Sequence, residues 1–134
     1  MRALAILGIL VATAAAEPLK PVVATFGSVT RVLPHARLLT RGRTRIIVLT
    51  EAALGCGDQR LPPPPDYAII AVLRDDSISF IAFRMKGSSN IAQGRIDFVP
   101  VRDRATLGTI DVTTGGGEAH GAFDLIVCPA DKGS

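Results

Sequence analysis

Apolar and polar residues alternate along most of the chain in short stretches, with Gly, Pro or charged turns falling roughly every ten residues. Val22 to Phe26 reads as a first strand, ended by Gly27-Ser28. Residues 29–39 are β-rich but interrupted by Pro34, whose missing N–H confines it to an edge or a bulge. Arg41-Gly42-Arg43 reads as a turn, Arg45 to Thr50 as a dense apolar strand, and Glu51 to Gly57 as one helical turn around Cys56. Leu61 to Pro65, with four consecutive prolines, is an extended connector that cannot pair in a sheet. Tyr67 to Leu73 and Ser77 to Met85 form the strongest strand pair, joined by the polar turn Arg74-Asp75-Asp76. Within the second of these, Ile78, Phe80 and Ala82 take one parity and Ile81, Phe83 and Met85 the other. A strand apolar on both faces has its second face covered or lies centrally.

Lys86 to Asn90 reads as a turn and Ile91 to Val101 as a partly alternating strand. Leu107 to Thr113 and His120 to Cys128 alternate cleanly around the glycine-rich loop Thr114 to Glu118, so they form a hairpin. Seven or eight short strands, with no sustained helical period, predict an all-β fold: an antiparallel β-sandwich or a flattened small β-barrel. With one tyrosine and no tryptophan, Val, Ile, Leu and Ala must supply most of the packing.

The amino-terminal stretch departs from this rhythm. Met1-Arg2, the apolar run Ala3 to Val11 and the small residues Ala12 to Ala16 have the three parts of a secretory signal peptide in order. Residues 1–16 are therefore expected to be a leader and residues 17–134 a single β domain, exported to the periplasm or secreted, with no transmembrane span in the mature chain. No cysteine lies near the cleavage position, which argues against a lipid anchor. In an oxidising compartment Cys56 and Cys128, the only two cysteines, are expected to pair. The bond would close a loop of roughly 73 residues and contribute roughly 4 kcal/mol through loop-closure entropy.

The strand Gly108-Thr109-Ile110-Asp111-Val112, a glycine-rich turn, the strand Gly121-Ala122-Phe123-Asp124-Leu125 and a late Cys128 together resemble small exported bacterial all-β proteins of unknown function. The resemblance implies a hairpin and a fold, and carries no activity, substrate or catalytic residue.

The formal net charge of +3 is a weak basic bias, too mild to imply nucleic acid. Positive charge concentrates in residues 17–60, where Lys20, Arg31, Arg37, Arg41, Arg43, Arg45 and Arg60 face Glu17, Glu51 and Asp58. Arg41, Arg43 and Arg45 share parity, so in extended chain they would project to one side as an anion-binding stripe, since guanidinium groups match oxyanions. The same charges would also suit an edge strand guarded against edge-to-edge pairing.

Chemistry finds little purchase. No G-x-S-x-G elbow is present, and Ser88, Ser89 and Asn90 fall in the turn-like stretch. Asp111 and Asp124 take the parity opposite the apolar face of the last hairpin, as solvated charges do. A metal site from His120, Asp111 and Asp124 lacks fixed spacing, and Gly115-Gly116-Gly117 lacks the lysine of a phosphate loop. No metal, cofactor or catalytic residue is assigned.

These readings point to a non-enzymatic exported binding or interaction module of the envelope or extracellular space, its partner an anionic surface, a glycan or an envelope protein. Two alternatives stand beside it. One is a carrier holding a small apolar ligand in a barrel cavity. The other is an inhibitor that inserts Leu61–Pro65 or Gly115–Glu118 into a secreted hydrolase.

Overall fold

The computed structural model describes residues 19–56, 67–75, 77–85 and 88–129. The proposed leader, the proline run and Asp76 lie outside the described residues. Nine strands form one sheet: β1 (Val23–Phe26), β2 (Val29–Val32), β3 (His35–Arg41), β4 (Thr44–Thr50), β5 (Ala68–Arg74), β6 (Ser77–Met85), β7 (Ser88–Asp97), β8 (Thr106–Thr114) and β9 (Gly117–Val127). The sheet runs β2-β1-β9-β3-β4-β5-β6-β7-β8 and β8 pairs again with β9. Seven strands therefore close into a barrel, and the β1–β2 hairpin is attached to it. Of the two expected architectures, the barrel is the one formed.

Closure depends on β9. Along one side it pairs antiparallel with β8, from Gly117↔Thr114 to Leu125↔Thr106. Its other side is shared: Gly117–His120 pair antiparallel with Phe26–Val23 of β1, and Asp124–Val127 pair parallel with His35–Leu38 of β3. Pro34 stands where the chain leaves the hairpin and enters β3. It loses nothing there as a donor, and its carbonyl accepts the Asp124 N–H at 2.8 Å. The partner exchange on β9 occurs at Gly121, with φ of +137°. A Cβ at Gly121 would stand 2.5 Å from the Pro21 carbonyl oxygen, so a bare backbone is required there.

Inward positions follow the expected alternation. Ile47, Leu49, Ile69, Phe83 and Leu125 expose none of their surface. A void able to admit water would leave them some exposed area, so the space around them is filled by side chains. Each such burial stabilises the fold by about 1.5–3 kcal/mol relative to leaving the side chain exposed. Phe26 from the hairpin packs edge-on to Tyr67 (ring centroids 5.2 Å apart) and lies 5.4 Å from Phe83. Arg31 lies over the Tyr67 ring at 4.7 Å and reaches Glu51 at 3.4 Å. The hairpin thus plugs the lower end of the barrel, the end at which β3 begins.

A second, smaller apolar cluster sits outside the barrel wall. Leu39, Val48 and Cys128 are buried there, with Ile46, Ile70 and Cys56 against them. Cys56 and Cys128 are bonded as expected, with Cα atoms 5.5 Å apart, which ties residues 51–56 over the outer face of β3 and β4.

Several local expectations are corrected. Pro34 divides residues 29–39 into two strands, which accounts for nine strands instead of seven or eight. Among the described residues, 51–56 contain no helical turn. Ser88 to Asn90 belong to β7 and not to a turn. Thr114 pairs with Gly117, so the glycine-rich connection is a tight two-residue turn. A register shift between Val72 and Leu73 pairs Leu73 with Ile78 and Val72 with Phe80, leaving Ser79 as the extra residue. That bulge moves Ile78 onto the face of Leu73 and separates it from Phe80 and Ala82.

Candidate functional site

In an antiparallel meander alternate turns fall at the same end. The β3–β4, β5–β6 and β7–β8 connections therefore meet at the upper end of the barrel. They carry Arg41, Arg43, Arg45, Arg74, Arg102 and Arg104 to this end, with Asp75, Asp97 and Asp103 among the described residues. Arg43 Nη2 lies 3.2 Å from Asp75 Oδ1, and both groups are largely exposed. Arg43, Thr44, Arg74 and Asp75 line an open cleft of about 240 Å³. A second cleft, of about 340 Å³, lies between Arg45 on β4 and Ile96, Asp97, Phe98 and Pro100 at the end of β7.

The barrel is loosened at this end. Register partners between β6 and β7 begin at Met85↔Ser88 and stop at Ile81↔Ala92. Above that rung β6 pairs with β5 alone and β7 with β8 alone. Phe80, on the outer face of this stretch of β6, is 43% exposed. The Thr106 hydroxyl donates to the Val99 carbonyl at 2.7 Å and pinches the β7–β8 loop that carries Arg102 and Arg104.

The single-sided stripe expected of Arg41, Arg43 and Arg45 does not form. A tight turn separates them, with Arg41 paired to Thr44 and Thr40 to Arg45. Arg41 has the outward parity of Leu39, Arg45 the inward parity of Ile47 at the rim, and Arg43 lies in the turn. Shared parity requires one continuous extended segment, and Gly42, with φ of +61°, breaks it. What unites the three is the barrel end they occupy. Arg74, Arg102 and Arg104, which sequence reasoning passed over, occupy the same end. Their signal was available: each lies at a connection an even number of strands from the β3–β4 turn.

The outer wall of β8 and β9 carries a different constellation. His120 is held between two carboxylates, with Nδ1 2.7 Å from Asp111 Oδ1 and Nε2 3.1 Å from Glu118 Oε1. Burial works against the imidazolium, but the hydrogen bonds to Glu118 and Asp111, with their charges, outweigh it and raise the pKa above its ordinary 6.5. An imidazole with both nitrogens engaged by carboxylates is a surface ion-pair network. Asp124 is four positions further along β9, roughly 13 Å of strand, so the structure joins Asp111 to His120 and leaves Asp124 apart. Asp111 and Asp124 both face solvent, as their parity requires. Among the described residues no group of three or more His, Cys, Asp or Glu side chains is placed to hold a metal ion.

No family model, curated protein or solved structure matches the chain. The functional reading therefore stands on geometry alone. Among the described residues no helix is long and apolar enough to cross a membrane.

Proposed function

We propose that the protein is an exported, non-enzymatic binding module that holds an anionic partner at the upper end of its barrel. The observation that carries this reading is the cleft that Arg43 and Arg74 line from two alternate turns and the second cleft beside Arg45, at the barrel end whose third connection carries Arg102 and Arg104. Guanidinium groups on separate turns can address several oxyanions at once, as a sulfated or phosphorylated glycan or an acidic envelope surface would present them. Export to the periplasm or beyond is supported by the leader-like first sixteen residues and by a cystine, which persists in oxidising compartments. The carrier alternative draws no support from an interior already filled by side chains. The inhibitor alternative is weakened by the tightness of the turn after β8, too short to reach deeply into a cleft.

The test is salt-dependent retention on an anionic matrix. Replacing Arg43, Arg74, Arg102 and Arg104 together by Ala should lower the eluting salt concentration clearly, because each neutralised contact reduces counterion release. Replacing Arg84, at the opposite end of β6, should change it little. Equal retention of all three proteins would remove the proposal.

A further inference from the structure

Above the Ile81↔Ala92 rung, residues Ser77-Ile78-Ser79-Phe80 of β6 keep register partners on the β5 side alone. Across the opening, β7 is held by β8 over Gln93–Asp97 and has no register partner in them. Alternate residues of a strand direct their N–H and C=O groups to the same side. The upper edge of β6 therefore offers backbone donors and acceptors that no other strand among the described residues takes up.

This edge is open as well as unpaired. Residues of both parities from Ser77 to Phe80 are exposed. Ile78 shares the inward parity of its buried partner Leu73, yet is 37% exposed. Ile96 and Asp97, two of the β7 residues that lack a β6 partner, line the cleft of about 340 Å³ beside Arg45.

Solvent-facing edges are normally guarded by charge, proline or a bulge. Ser77 to Phe80 contain no charge and no proline. The bulge at Ser79 is present, but it leaves Ile78 on the inner face and Phe80 on the outer one. A strand laid along this edge would thus meet a large apolar side chain on either face. Ile91, exposed on the outer face just below the last rung, adds to the second. Backbone pairing with alternate apolar contacts is how extended peptides add to sheets.

Charge selects the kind of strand. Arg74 is exposed and in register with Ser77 at the upper end of the edge. No carboxylate among the described residues pairs with Arg74, Arg102 or Arg104. β7 runs antiparallel to β6. A strand in the place that β7 gives up would, in the same direction, carry its carboxyl-terminal end up to these arginines.

We propose that the free edge of β6 receives an extended polypeptide segment with an acidic carboxyl-terminal end, added antiparallel to residues 77–80. Such docking presupposes the anionic partner proposed above and narrows it to a polypeptide.

The probe is a synthetic peptide, Thr-Val-Thr-Val-Thr-Glu-Glu, added to the disulfide-bonded protein. In NMR spectra it should give cross-strand contacts with residues 77–80 and slow exchange of their amides. Two N-methylated versions, each blocking one set of alternate amides, keep its charge. Only one set faces an added edge, so one version should bind at least about tenfold more weakly and the other nearly as well. Equal binding of both versions, or no contacts at 77–80, would overturn the site. Phe80→Glu, at an exposed position, should abolish binding while leaving the far-UV spectrum unchanged; unchanged binding would refute the assignment. If that variant misfolds, the methylated pair still decides. Arginine-dependent retention on the anionic matrix without peptide contacts would sink the strand site alone and leave a glycan as the partner. Loss of both would remove both readings.

Discussion

One rung of the barrel wall crosses both a covered and a bare region. Outward residues in register run from Ile126 through Arg37, Val48, Ile70 and Ala82 to Ile91. Within it Arg37 is 5% exposed and Val48 3%, whereas Ile126 and Ile91 at its two ends are 42% and 63% exposed. By residue type the order should be reversed, since arginine is rarely buried and isoleucine often is. The difference lies in what covers each part. Segment 51–56, bonded through Cys56 to Cys128, lies over β3 and β4, while nothing among the described residues lies over Ile91. A barrel wall thus has two kinds of outside, and a covalent tether determines which part is a second core.

Breaking the tether should rank with the loss of Phe83 as the largest effect. Replacing Cys56 and Cys128 by Ala should remove roughly 4 kcal/mol of stability, read as a lower urea midpoint. Amide exchange should accelerate first in β3 and β4. Unchanged protection there would mean that segment 51–56 holds itself in place.

The two faces of β6 sharpen the contrast further. Phe83 points inward and is fully buried, whereas Phe80, three residues away, is partly exposed on the bare wall. Phe83→Ala should cost about 3–5 kcal/mol and Phe80→Ala less than about 1 kcal/mol. Similar losses in urea titrations would show that the bare wall is covered in solution. Gly121→Ala should fall between them, at about 1–3 kcal/mol, since it forces a side chain into left-handed backbone against Pro21.

The smallest effect belongs to the exposed wall of β8 and β9. The raised pKa of His120 means that its ion pairs stabilise the folded protein fully below the unfolded value near 6.5. That contribution is lost as pH rises through the folded pKa. His120→Gln should flatten this part of the pH profile. His120 is about half exposed, so solvent screening keeps the gain small. Thermal melts between pH 5 and pH 9 that coincide for the two proteins in shape would contradict it.

Much of this was legible along the chain and some was not, for physical reasons. Local alternation located most strands, Pro34 marked the break between β2 and β3, and two cysteines in a β context gave the disulfide. The parallel pairing of β3 with β9 was hidden, because it joins residues far apart and depends on one strand having three neighbours. The bulge at Ser79 was also hidden, since a one-residue slip leaves composition unchanged. At the candidate site, the arginines were visible as residues while their meeting place followed only from the order of turns. Arg37 was counted among surface charges, although its setting, His35-Ala36-Arg37-Leu38-Leu39, places one cation inside an apolar run. Only the covering segment turned that oddity into a buried guanidinium.

The late arrival of β9 has a consequence for how the molecule is made. A ribosome delivers the amino end first, yet β1 and β3 each wait for the final described strand to receive their barrel partner. Until then their edges are open templates for wrong neighbours. Such long-range closure belongs to the slow folders, on millisecond-to-second scales. A chaperone that shields the amino-terminal half during synthesis would suit this topology better than any improvement in its core.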